Sequence, residues 1–186
     1  MIMKKYLDTI KALLAENKTT GTNHSEAMLH YSNMNLKRLE RWLAKGELSP
    51  ETILAIQSVT KPQRWVVLTE AWCGDAAHSI GFIAKMAAIN PLISFEWKWR
   101  DENLDLMDQF LTNGGRSIPK LIVYNTAGEV LFDWGPRPEA IQLAYLQLKA
   151  ENKPYEEISV ELQKLYNADK GRAIQLEIIA KLSVKD

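Results

Sequence analysis

Apolar residues recur along the chain first with a helical period, then with the periods of strands, then helically again. Leu7, Ile10, Leu13 and Leu14 predict a helix over residues 1–17, closed by the Gly21 neighbourhood. A second amphipathic stretch, 26–45, carries Leu29, Leu36, Leu39 and Leu43 on one stripe and stops at Gly46. Ser49 before Pro50 places an N-cap ahead of a first-turn proline and opens a third helix that breaks at Lys61 and Pro62. The run Trp65 to Leu68 then has the character of a strand covered on both faces. Ile80, Ile83, Ala84 and Ala87 return to helical spacing up to Asn90 and Pro91. Ile93, Phe95, Trp97 and Trp99 alternate with Ser94, Glu96, Lys98 and Arg100, the period of two that marks a strand with unlike faces. The three aromatics are expected to pack as one sheet face. A short helix is expected over 103–111, ended by Asn113 to Gly115. The runs 121–124 and 130–132, separated by a turn at Asn125 to Gly128, form a hairpin pattern. From Pro138 the chain is helical, with breaks near Pro154 and at Asp169 to Gly171.

The order predicts an α/β fold: a small mixed sheet with helices on both faces and a helical segment at either end. The first two strands, joined by a crossover helix, should be parallel and the last two antiparallel. One domain is expected over 1–186, made of an arm (1–62), a core (63–151) and a C-terminal extension (152–186).

Composition narrows the function classes. Hydrophobic residues make up 46% of the chain, enough for a core, while 23 basic and 23 acidic side chains cancel, so no charge excess exists to hold a nucleic-acid backbone. Charged residues interrupt the opening segment where a signal peptide needs an apolar run, and no stretch is long enough for a membrane span. The single cysteine allows no internal disulfide, which suits a reducing compartment and makes the cytoplasm the expectation. His24 and His30 have no partner cysteine, so neither a metal nor another cofactor is expected.

That cysteine, Cys73, falls between the first strand and the crossover helix. A helix N-terminus favours the thiolate, the nucleophilic form, although a free cysteine more often behaves as a small buried hydrophobe. Asp75 brings a carboxylate into the first turn, where it suits the helix dipole but opposes a nearby thiolate. Glu70 and Arg116 are further candidates to approach the thiol, Arg116 favouring its charged form, and His78, five positions on, is expected at the surface. Trp72 and Trp134 either rim a groove or pack at an edge.

Trp72-Cys73-Gly74 resembles the start of the Trp-Cys-Gly-Pro-Cys site of the thioredoxin superfamily, and Ser117-Ile118-Pro119 resembles its Ile-cis-Pro segment. Gly128 and Gly135 also fall where the family's hairpin carries glycines. The resemblance covers roughly half the chain and implies a thioredoxin-like mixed sheet flanked by helices, with extra helices at both ends like the elaborations of some bacterial single-cysteine members. It implies Cys73 as the nucleophile, Trp72, Gly74, Asp75, Ile118 and Pro119 as the substrate-binding surface, and a cis bond before Pro119. It also exposes departures. Ala76 stands where the second cysteine would resolve a mixed disulfide, Asp75 where the family has proline, and Val67 where thioredoxins keep a buried aspartate.

Two functions follow as expectations. The leading one is monothiol exchange, with Cys73 forming a mixed disulfide with a small thiol or a protein thiol that a second external thiol releases. The other is a redox-inactive binding module or adaptor on the same fold. A peroxidatic role would need a hydroxyl donor at the position of Glu70.

Overall fold

The structure, a computed structural model, describes residues 2–183. Three helices come first: α1 (Ile2–Ala15), α2 (Glu26–Lys45) and α3 (Pro50–Gln57). The sheet region follows as β1 (Gln63–Thr69), α4 (Gly74–Ala88), β2 (Ile93–Trp99), a 3-10 turn (Arg100–Glu102), α5 (Leu104–Met107), β3 (Lys120–Tyr124) and β4 (Val130–Trp134). Three helices close the chain: α6 (Glu139–Ala150), α7 (Tyr155–Asp169) and α8 (Arg172–Ser183). The Ser49 hydroxyl accepts from the Thr52 amide at 3.1 Å, so α3 starts as its cap and proline dictate.

The sheet has the order β2-β1-β3-β4, with β1 parallel to β2 and antiparallel pairing elsewhere. Central β1 is covered on both faces, which is why Trp65 to Leu68 read as an unbroken apolar run. Trp65 and Val67, with Leu121, Val123 and Phe132, meet α1, α2, α4 and α8 in the larger core. Val66, Leu68 and Ile122 face a smaller cluster with Met107, Ile118 and the cysteine. Phe95 and Trp99 are buried as expected of one sheet face, and Trp97 packs edge-on against Tyr6 of α1.

The helix expected over 103–111 is cut short. It ends at Met107, beyond which the Gln109 and Phe110 amides bond only three residues back, to the Leu106 and Met107 carbonyls at 3.2 and 3.0 Å, so the chain tightens into turns. The C-terminal helices are part of the core: α8 packs on α3 and α4 through Ile174, Ile178 and Leu182, and α7 turns Ile158, Leu162 and Tyr166 inward. Among the described residues no helix is long and apolar enough to cross a membrane.

Candidate functional site

Strand β1 ends at Thr69 and α4 begins at Gly74, so the sheet and the crossover helix together fix the connecting residues 70–73. Cys73 is the cap of α4: its sulfur accepts from the Ala76 amide at 3.4 Å, while the thiol donates to the Ile118 carbonyl at 3.3 Å. Cys73 is only 8% exposed. Burial, and after it the Asp75 carboxylate, push the thiol up to about 12, against the opposing pull of the Ala76 amide and the Arg137 guanidinium. The helix N-terminus is therefore outweighed, and the bond to Ile118 is one that a protonated thiol makes. Ile118 and Pro119 are buried beside the cysteine, and the peptide bond between them is cis.

Asp75, in the first turn of α4, is nearly enclosed. Its Oδ1 accepts from the Tyr166 hydroxyl at 2.8 Å and its Oδ2 pairs with Arg137 Nη2 at 2.7 Å. Burial pushes its carboxyl up, against the pull of Arg137 and Tyr166. Arg137 also donates to Gln142 Oε1 at 3.0 Å and lies over the Tyr145 ring at 4.2 Å. Gly135, at φ +119°, lets this segment pass the Pro119 carbonyl, since a Cβ there would come within 2.1 Å of its oxygen.

Three expectations are corrected. His78 is buried, not at the surface: Trp42 Nε1 donates to its Nδ1 at 2.9 Å and its ring stacks on Tyr166 with centroids 4.4 Å apart. Burial, with Arg38 beside it, pulls His78 down to about 3, so it is a neutral core histidine on a helix that is apolar nearly all round. Arg116 makes a two-point pair with Asp108 at 2.6 and 2.7 Å and stays exposed; the guanidinium that acts on Cys73 is that of Arg137. Glu70 is not among the groups that act on the thiol; its Oε1 accepts from the Asp101 amide at 2.9 Å, and burial raises its pKa.

A groove of about 470 Å³ runs past the site, lined by Trp72, Cys73, Gly74, Asp75, Ile118 and the side chain of Arg116 among others. Of the expected surface residues only Pro119, which is buried, does not line it. Trp72 lines it under the Arg100 guanidinium, 5.0 Å from its ring, whereas Trp134 is core, its Nε1 donating to Glu177 at 2.7 Å. Among the described residues no three His, Cys, Asp or Glu side chains converge as metal ligands.

Sequence reasoning missed Arg137 and Tyr166. Tyr166 carried a signal, since Ile158, Leu162 and Tyr166 follow helical spacing and mark the buried face of α7. Arg137, held between Pro136 and Pro138, had only the stiffness of its surroundings to distinguish it.

No curated protein matches the chain. Among solved structures, an HIV epitope scaffold superposes with a TM-score of 0.60 at 16% identity, covering 98% of each chain. A protein of unknown function from Pseudomonas aeruginosa superposes with a TM-score of 0.54 at 17% identity, covering 87% of this chain and 91% of that one. At such identities the likeness is one of fold. A family model described as thioredoxin matches residues 21–153, the span that holds the sheet, the Cys73 turn and the Ile118-Pro119 segment, and on that match the chain belongs to the thioredoxin family.

Proposed function

We propose that this protein is a redox-silent binding module, in which the groove beside Cys73 receives a segment of a protein partner while the cysteine itself undergoes no turnover. The observation that supports this reading is the environment of the sulfur: 8% exposed, donating to the Ile118 carbonyl and flanked by the Asp75 carboxylate. With a thiol held at about 12, the thiolate is on the order of one molecule in 10⁵ at pH 7, too few for a nucleophile that must attack a disulfide. Ala76 in the resolving position and Val67 in place of a buried acid suit the same reading, because neither half of a two-thiol cycle has its chemistry. Monothiol exchange would need the thiol released from Ile118 and deprotonated against Asp75.

The test is alkylation of the native protein with iodoacetamide at pH 8, followed by intact mass, beside insulin-disulfide reduction driven by dithiothreitol. The expected result is no adduct on Cys73 until urea unfolds the chain, and no reduction above the dithiothreitol background. Native alkylation at the rate of a free cysteine, or catalysed reduction, would overturn the proposal in favour of exchange.

A further inference from the structure

Behind the groove, between α2, the first turn of α4 and α7, lies a second, smaller recess of about 50 Å³. Arg38, Asp75, His78, Arg137 and Gln163 line it, and it shares Gly74, Asp75 and Arg137 with the groove. Its charges do not balance. Arg38 is half-buried, and its Nη1 donates at 2.9 Å to a neutral acceptor, Asn35 Oδ1. Among the described residues no carboxylate pairs with it. Arg137 divides its two terminal nitrogens between Asp75 and Gln142, and its Nε is buried with no acceptor. His78, its Nδ1 occupied by Trp42, is neutral and adds no charge. Two guanidiniums therefore meet one carboxylate, and the positive end of α4 adds to the excess.

A half-buried cation without a counter-charge and a buried N–H without an acceptor both call for an oxyanion. The volume is a few times the ~10–15 Å³ that one water needs, room for a group the size of a planar carboxylate, whose geometry the guanidinium fork matches. We propose that the recess is a carboxylate subsite, in which Arg38 and Arg137 Nε hold the two oxygens of a ligand that enters from the Cys73 groove. The subsite stands independently of the reading of Cys73, since it needs no thiol chemistry. A free small carboxylate and the acidic side chain of a segment lying in the groove share this chemistry.

Titration of the full chain with sodium acetate, at constant ionic strength set with chloride, tests it by amide and arginine Nε–H chemical shifts. Saturable shifts are expected at Gly74, Asp75 and the Nε–H groups of Arg38 and Arg137. Arg38→Gln should weaken binding by about tenfold or more, the loss of a charge-assisted contact, and Arg38→Lys should restore part of it. Lys4→Gln, on α1 and lining neither the recess nor the groove, should leave acetate binding unchanged. A second arm uses a capped Gly-Glu-Gly peptide: tighter binding than acetate assigns the site to a partner's side chain, equal or weaker binding to a free carboxylate. Absence of saturable shifts with both probes, or shifts that survive Arg38→Gln unchanged, overturns the proposal.

Discussion

The Cys73 thiol donates to the carbonyl of Ile118, 45 residues along the chain and 3.3 Å away, so the two motifs that mark the family meet in one hydrogen bond. Its strength depends on the proton staying on sulfur, and Asp75 helps to keep it there. Replacing Asp75 with Asn removes the opposing carboxylate and leaves Arg137 facing the thiol. Its pKa should fall by about one unit, raising the rate of iodoacetamide alkylation about tenfold at a fixed alkaline pH. Arg137→Gln should shift it the other way, and Arg116→Gln, whose charge is spent on Asp108, should not shift it. The pH dependence of adduct mass on the three variants decides the matter.

His78 makes stability depend on acid. Burial holds it down to about 3, against about 6.5 in the unfolded chain, so below pH 6.5 the unfolded state takes up the proton and the folded state does not. The contribution is therefore complete above pH 6.5 and lost as pH falls toward 3. Relative to His78→Gln, the wild type should lose about 1.4 kcal/mol per pH unit between pH 6 and 4, measured by urea unfolding of both proteins. Parallel profiles for the two would contradict it.

Tyr166→Phe deletes a single hydroxyl and its bond to the Asp75 carboxylate. The ring keeps its stack on His78, so the loss is that of a hydrogen bond to a charged group, about 1.5 to 3 kcal/mol. A lower urea midpoint with an unchanged slope is the expected signature.

Gly135→Ala should be far more costly than Gly128→Ala. Both glycines have positive φ, but a Cβ at 135 would run into the Pro119 carbonyl, whereas at 128 nothing lies within 4 Å. We expect about 1 kcal/mol at 128 and about 3 kcal/mol or more at 135, read as a drop in Tm.

Much of the fold is legible because burial in a sheet leaves a period in the sequence. Trp65 to Leu68 are covered on both faces and so form a continuous apolar run, and β2 alternates because its faces differ. Cys73 was found from its place between strand and helix. What the sequence could not reveal are encounters between distant residues. His78 looks like a polar residue in a helix until Trp42, 36 residues earlier, is seen to bond it. The spacing of Tyr166 says that it is buried but not that its hydroxyl meets Asp75, and the prolines beside Arg137 mark a stiff segment but not the carboxylate it pairs with. Helical period reports which face is covered, never by what.

The bond between Tyr166 and Asp75 spans 91 residues and joins the altered position of the cysteine motif to the C-terminal helices. Motif and extension are consequently one module for the protein engineer. A chimera that restores proline at 75 strands the tyrosine hydroxyl and frees Arg137, and one that grafts this motif onto a scaffold without α7 leaves Asp75 bare. Transplanting the turn requires carrying its distant helix along with it.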